Sequence, residues 1–584
     1  MHDAAELDTT GREQLAFDTL ADCVRFRARR QPDVLALYAL PELQEVASPL
    51  TYGQLDRRAR ALAARLQELT EPGARVLLVM ANHPDYVVGL IACMYARCVG
   101  VNLLLPSRAK HVARLCGVAE DCGATVLLTS GGASRIIHSR MGESRTLRAL
   151  HWIRVDEVGE AGADRWREDA PDPESLALLQ YTSGSTGAPR GVMVRHGNMA
   201  HHCAMLQRAW AFTPRDHAIS WLPLYHDMGL FLGPMVALYA GFPIGLTSPL
   251  AFVKHPDRWL RQIAARRATF SGGPNFCYDL CADVVDPTSL AGVDLSCWTR
   301  ALNGAEPVRT STLARFQEAF GPLGFAAETM CPAYGLAEVT LVATSTRPGA
   351  LPTQRDVDPE ALGQGFAAPP TDGGARRLTA SGLPTPGVAL RIVDPETGAA
   401  CAPLAVGEVW LAGPSVTAGY WRRPDATARA FGGRLAGDDR TWLRTGDLGF
   451  VDEDGHLFIT GRVKDVIVVC GRNHYPQDLE ETAEGADPAV RPNFAAAFSA
   501  QVEDREHIVV VVEVRRAAVA GLDVEQVGRA VMRRVASEHQ IRVDEVLLVH
   551  HGQIPKTTSG KVQRAATRAL WQEGRFEAHG GVSA

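Results

Sequence analysis

The chain has 584 residues, 46% of them apolar and 22% charged, with a formal net charge of −6 at pH 7. At roughly 150 residues per domain this length implies about three or four structural units instead of one core. The mild acidity argues against nucleic acid or an anionic membrane as the main partner, and the apolar fraction is that of an ordinary globular protein.

The first residues, MHDAAELDTTGREQL, lack the basic start and apolar run of a signal peptide, which points to a cytoplasmic protein. Residues 50–66 are apolar at helical spacing. Residues 75–80 read as a buried strand, 85–96 as a helix and 125–129 as another strand. The long apolar stretch 86–105 is interrupted by Arg97, so a core helix running into a strand is expected there instead of a membrane span. Helices alternating with strands predict a largely parallel, doubly wound sheet. The nearest pairs among the twelve cysteines, Cys93/Cys98, Cys116/Cys122 and Cys277/Cys281, lack zinc-like CxxC spacing and read as reduced, buried side chains.

Residues 346–378, rich in Pro, Gly and Ala, read as an irregular insertion. Short strands are expected at 388–393, 408–411 and 456–460. Residues 461–464 follow a strand and precede a fresh apolar run. They mark the expected boundary between a large first domain, 1–460, and a second, 467–584, with a hinge at 461–466. The second domain reads as small and α+β, with strands at 508–514 and 545–549 and a helix at 524–537. The tail from about Glu577 reads as disordered.

The sharpest local signal is LQYTSGSTGAPRGVMVRHGN at 179–198. Its glycines let the backbone bend so that several N–H groups face one concavity, and hydroxyls of Thr182, Ser183, Ser185 and Thr186 add donors, an arrangement that wraps a polyphosphate. It lacks the Gly-Lys-Ser/Thr ending of a Walker A loop and is not a GxSxG nucleophile elbow. A bare Ser/Gly turn between strands is the bland alternative.

That run resembles the phosphate loop of the acyl-adenylating superfamily, which contains acyl-CoA synthetases, luciferases and the adenylation domains of peptide synthetases. Six more segments resemble the superfamily's motifs in order: SWLPLYHDMGL (220–230), NGAEPV (303–308), YGLAEVTL (334–341), LRTGDLG (443–449), GRVKD (461–465) and IPKTTSGK (554–561). SGGPNFCYDLC (271–281), GRNHYPQDLE (471–480) and the insertion between Glu338 and Gly407 resemble the fatty-acyl-AMP ligase branch. The resemblance implies an α/β fold, with a large N-terminal adenylating domain of doubly wound sheets, a small β-barrel-like subdomain and a small mobile α+β C-terminal domain. It implies ATP-dependent activation of a fatty acid to acyl-AMP with release of pyrophosphate, then transfer to the phosphopantetheine of an acyl carrier protein in polyketide, lipopeptide or lipid biosynthesis. The cofactors implied are ATP and Mg²⁺. The carrier is expected as a separate polypeptide or megasynthase module, and the enzyme as a monomer or homodimer. The alternatives are an acyl-CoA synthetase and a non-catalytic binding relic.

Adenylation brings a carboxylate against the α-phosphorus, so cations and N–H donors must be fixed around two approaching anions. The resemblance assigns that cation to Lys561, although a lysine in KTTSGK is by composition a solvated one. It assigns Mg²⁺ to Glu338, the adenine slot to Tyr334, Gly335, Asn303, Gly304 and Ala305, and the ribose to Asp447 with Arg462. His226 is expected to position the acyl carboxylate; that group is already ionised, so no general base is required. Gly272, Gly273 and Phe276 are expected to border the acyl tunnel and Lys464 to sit at the hinge. In the phosphate loop Thr182, Ser183, Gly184, Ser185, Thr186 and Gly187 would hold phosphate. Arg190 stands where the superfamily has Lys, which keeps the charge but replaces a compact ammonium with a planar fork.

Overall fold

The computed structural model describes residues 5–7, 13–142, 144–182, 189–371, 374–469, 472–502, 505–557 and 560–584, with backbone alone at 5–7, 13–15, 110 and 505. Three sheets build the larger part. A six-stranded sheet runs in the order Arg190–Arg195, Leu176–Thr182, Val99–Asn102, Arg75–Leu78, Val126–Thr129 and His151–Arg154, parallel throughout except at the Arg190–Arg195 edge. A nine-stranded sheet has a parallel centre, Met330–Gly335, Arg300–Asn303, Phe270–Gly273, Ala218–Ser220, Ile244–Leu246 and Leu35–Ala39, with antiparallel strands at both edges. Strands such as Arg75–Leu78 and Val126–Thr129 are buried on both faces, as parallel strands covered by helices must be.

Helix Tyr52–Leu69 starts at Thr51, whose side chain and that of Gln54 form a capping box, and buries Leu55, Ala59, Leu62 and Leu66 along one stripe. Helix Pro84–Tyr95 is buried on every side, which explains a stretch apolar enough to resemble a membrane span. Among the described residues no helix is long and apolar enough to cross a membrane. Every described cysteine is free.

The third sheet is antiparallel, ordered Ala389–Val393, Gly407–Ala412, Asp438–Val451 and Gly433–Leu435, with Leu457–Arg462 also on Asp438–Val451. The insertion is more regular than its composition predicts. Strand Gln354–Val357 pairs with Arg376–Thr379, helix Pro359–Gly363 lies between them, and Val357, Leu362, Ala367 and Leu378 share a core with Phe450, Phe458 and Tyr475. Few but well-spaced apolar residues suffice because the neighbouring sheet supplies the rest of that core.

From Ile467 onward the chain has a core of its own. Strands Val490–Val502, Arg505–Val514, Glu545–Val549 and Ala578–Ser583 form one sheet, and Val527, Val531 and Val535 of helix Val524–His539 cover it at helical spacing. The tail is therefore not disordered. Ala578–Ser583 pairs antiparallel with Glu545–Val549, with Val582 buried and packed over Gly528, where no side chain leaves room for it. Two apolar residues in AHGGVS, one of them only an alanine, are too weak a signal to announce a strand, and the edge of Glu545–Val549 creates it. Removing residues 578–584 should cost the C-terminal unit about 2 kcal/mol from Val582 burial alone. At roughly 4–8 °C per kcal/mol the loss is readable in a thermal melt, and an unchanged Tm would return the tail to an unstructured appendage.

Candidate active site

A cleft of about 1480 Å³ lies where strand ends of all three large sheets meet the C-terminal unit. It collects Asn102 and Thr182 from the six-stranded sheet, Leu302, Tyr334 and Gly335 from the nine-stranded one, Asp447 and Arg462 from the antiparallel one, and Lys556 and Lys561 from the C-terminal unit. Ligands of open α/β sheets sit in such crevices at the carboxyl ends of strands.

Asp447 is shared. The Tyr334 hydroxyl donates to its Oδ2 at 2.8 Å, and Arg462 Nε donates to its Oδ1 at 2.9 Å. Glu338 lies in a single 3₁₀ turn, Ala337–Val339, and accepts the Tyr420 hydroxyl at 2.7 Å. Tyr420 is carried by a segment that pairs with strand Arg190–Arg195, and its ring lies 5.5 Å below the Arg190 guanidinium. Arg190, Tyr420 and Glu338 thus form a row along the cleft wall.

Electrostatics tie the walls together. Burial pushes the Glu338 carboxyl above its usual range; the Tyr420 hydroxyl opposes this and Asp227 adds to it. Burial would also raise Asp227, but His226, Lys561 and the Met228 amide outweigh it and hold that carboxyl low; His226 Nδ1 is 2.6 Å from Asp227 Oδ1. Burial, with Arg462 next, pulls the Lys561 ammonium below its usual range, while Asp227, Asp447 and Glu306 support its charge. Lys561 therefore reaches from the C-terminal unit into a field of carboxylates belonging to the larger part.

The model of the AMP-binding enzyme family matches residues 24–421, more than half of the chain. The chain belongs to that family. A second model, the AMP domain of Disco-interacting protein 2-like proteins, matches residues 464–580. The medium-chain-fatty-acid–[acyl-carrier-protein] ligase JamA of Moorena producens is 38% identical over 96% of both chains. The long-chain-fatty-acid–AMP ligase FadD32 of Mycolicibacterium smegmatis is 36% identical over 92% of this chain and 91% of its own. The fatty acyl-adenylate ligase of Legionella pneumophila, solved with acyl adenylate and pyrophosphate, superposes with a TM-score of 0.75 at 32% identity, covering 97% of this chain and 98% of that one.

Within this AMP-binding enzyme Thr182, Arg190, His226, Phe276, Gly304, Ala305, Tyr334, Gly335, Glu338, Asp447, Arg462, Lys464 and Lys561 all line the cleft. Ser183, Gly184, Ser185, Thr186 and Gly187 lie outside the described residues. Three expected residues sit behind the wall. Asn303 is fully buried and donates to Asn275 Oδ1 at 3.2 Å. Gly272, at φ +150°, faces the Leu302 backbone of the adjacent strand so closely that a Cβ would collide with it, and Gly273 faces Trp221 and Cys277. The room these glycines leave is filled by protein, and neither lines the cleft. Gly335 and Gly304 are wall glycines with no room for a side chain, because a Cβ would strike the carbonyl of Leu341 at the first and of Ala333 at the second.

The sequence reading missed Tyr420, Asp227, Glu306 and the Asn102–Gln180 pair. Asp227 and Glu306 stood inside recognised motifs beside the residues chosen. Tyr420 carried no signal, since only strand pairing brings it to Glu338. Asn102 and Gln180 face each other across neighbouring strands and line the cleft; both polar side-chain atoms of Asn102 and Gln180 Oε1 are buried without a hydrogen-bond partner among the described residues. A carboxylate facing the cleft suits a hard cation held mostly by phosphate oxygens, so Glu338 fits Mg²⁺. Among the described residues the clustered set Asp452, Asp454 and His456 lies in the turn before strand Leu457–Arg462, outside this cleft.

Tyr420→Phe keeps the ring under Arg190 and removes only the hydroxyl on Glu338. At about 1 kcal/mol for such a bond, the apparent KM for ATP should rise roughly fivefold with the fatty-acid KM unmoved. Arg190→Ala should raise the ATP KM further, and an unchanged value would remove Arg190 from the phosphate site.

Proposed function

We propose that this chain activates a fatty acid with ATP, giving acyl-AMP and pyrophosphate, and then passes the acyl group to the phosphopantetheine thiol of an acyl carrier protein. The observation that carries the reading is the position of Lys561, which lies in one cleft with Tyr334, Glu338 and Asp447 although it belongs to the C-terminal unit. The printed activities of JamA and FadD32 and the acyl adenylate held by the Legionella enzyme support it.

The geometry supports the following roles. Tyr334 offers a face for adenine. Asp447, with spare lone pairs on both oxygens, accepts the ribose hydroxyls beside Arg462. Lys561 neutralises charge that builds on the α-phosphate as the carboxylate attacks, and a desolvated ammonium acts there at low effective dielectric. Glu338 would hold Mg²⁺, which supplies charge neutralisation on the phosphates when bound. His226, anchored on Asp227, orients the acyl carboxylate.

The larger part and the C-terminal unit act as two bodies joined at 461–466, with exposed Lys464 as the pivot. The insertion restrains that pivot. Arg376, on its strand Arg376–Thr379, pairs with Asp478, and Glu360 on helix Pro359–Gly363 pairs with Arg472 at 2.6 Å. These contacts hold the C-terminal unit in the adenylating arrangement and oppose the rotation that coenzyme A would need.

Fatty-acid-dependent ATP–pyrophosphate exchange, with coenzyme A and holo-carrier offered in parallel, tests the proposal. Acyl-carrier should form and acyl-CoA should not, and Lys561→Ala should lower exchange by at least about a hundredfold. Substantial acyl-CoA from the intact protein would overturn the acceptor assignment. The double variant Arg376→Ala, Glu360→Ala should release some acyl-CoA synthesis. Because Lys561 has a lowered pKa, its charge and the exchange rate are full at lower pH. Both fall as pH rises through that value, below the roughly 10.4 of an exposed lysine. Lys561→Arg, which stays protonated, should remove this alkaline limb at a reduced rate.

A further inference from the structure

Of the 60 basic residues only five are lysines, so this chain uses arginine nearly everywhere. Lys464, Lys556 and Lys561 are three of the five, and all three line the cleft. Lys464 and Lys561 have roles already; Lys556 has none. Its ammonium is turned onto the C-terminal unit itself, where it donates to the Asn493 carbonyl at 2.6 Å and lies 3.6 Å from the centre of the Phe494 ring. The Arg491 guanidinium lies 3.3 Å from the same centre, and two cations that close to one ring must occupy opposite faces. Arg491 is held in turn by Glu513, whose other oxygen accepts the Ile554 amide. The segment leading to Lys561 is thus pinned at Ile554 and again at Lys556. Lys556 forms an antiparallel bridge with Val562, and the Thr557 amide donates to the Lys561 carbonyl at 2.7 Å, so a shift at Lys556 is passed to Lys561.

The same asparagine faces the other body. Asn493 stands at φ +63°, a left-handed conformation that asparagine tolerates, where the register of strand Val490–Val502 shifts. Its side chain meets the larger part: Oδ1 accepts from Arg309 at 3.0 Å and Nδ2 donates to Asp279 at 3.3 Å. Arg309 also pairs with Glu484 of the C-terminal unit at 3.0 Å. Glu306 of the larger part supports the charge of both Lys556 and Lys561. Asn493 is therefore a junction, with its side chain on one body and its carbonyl on the lysine-bearing segment of the other.

We propose that Lys556 is a positioning residue for adenylation: through Asn493 it ties the seating of the C-terminal unit on Arg309 and Asp279 to the placement of Lys561 at the α-phosphate. The proposal rests on the reading of Lys561 as the adenylating cation. Lys556 acts through Lys561 and needs no contact with a reacting atom. A compact ammonium fits between a carbonyl and a ring face, where a guanidinium fork is broader. Because the contact sets where Lys561 sits, its loss lowers turnover and spares the binding of ATP and acid.

The test is ATP–pyrophosphate exchange by the full-length protein, together with its thermal melt, for the wild type, Lys556→Met, Lys556→Arg, Asn493→Gly and the double variant Lys556→Met, Asn493→Gly. Methionine keeps the length and loses the charge and the donor, and glycine keeps the left-handed backbone and loses the side chain. Lys556→Met and Asn493→Gly should each lower kcat roughly ten- to hundredfold, as a reacting group misplaced by about 1 Å does, with the KM for ATP and for acid within about twofold of wild type. Lys556→Arg keeps a cation on the ring and should retain more of kcat than Lys556→Met. The double variant should be little worse than either single one, since both break one chain of contacts. A Lys556→Met kcat within about twofold of wild type, a loss that falls on KM or follows a lowered Tm, or single losses that multiply in the double variant would overturn the positioning role while leaving adenylation by Lys561 intact. If Lys556→Met fails to fold, Asn493→Gly carries the test by the same kcat and KM criteria. No exchange with any acid in the wild type would overturn the adenylation reading and this inference together.

Discussion

The Lys561 ammonium sits out of bulk water in a cleft that already contains Asp227, Asp447 and Glu306, and the arrangement of the rest follows from that placement. Desolvating an ammonium is costly unless anions surround it. The larger part supplies the anions and the C-terminal unit supplies the cation, so closing the cleft and assembling the charge balance are one event. The loop that carries Lys561 is itself anchored nearby. Lys556 donates to the Asn493 carbonyl at 2.6 Å, lies 3.6 Å from the centre of the Phe494 ring, and is pulled down by burial to a pKa of about 8. Arg309, paired with Glu484 at 3.0 Å, fastens the two parts beside it.

The same logic explains why Asp447 is so fully engaged. Tyr334 ends a strand of the nine-stranded sheet, and Arg462 ends the strand that leads into residues 461–466. By accepting from both, Asp447 couples Tyr334 to the strand end that precedes residues 463–466. The insertion adds a second tie between the two parts through Arg376–Asp478 and Glu360–Arg472.

Much of the site was legible because adenylation needs particular groups at particular bends. Thr182, Arg190, Tyr334, Glu338, Asp447 and Lys561 lie in short motifs whose order survives in one dimension, and the strand–helix alternation announced the parallel sheets. Other features depend on partners far away in the chain. The order in AHGGVS comes from the edge of Glu545–Val549, and the regularity of the insertion from Phe450, Phe458 and Tyr475. Gly272 and Gly273 were read as empty space because a sequence shows a missing side chain and not what fills the gap.

By itself the sequence marked the family and the residues expected at its site, and the structure brings most of those residues into one cleft with a lysine from near the C-terminus. A reacting group is recognised by its type and local bend, and both are local properties. Only the tertiary structure decided how the cleft closes. Tyr420 reaches Glu338, Arg376 reaches Asp478, and Arg309 reaches Asn493 through packing between residues distant in the chain, and such contacts leave no periodic trace in any one segment.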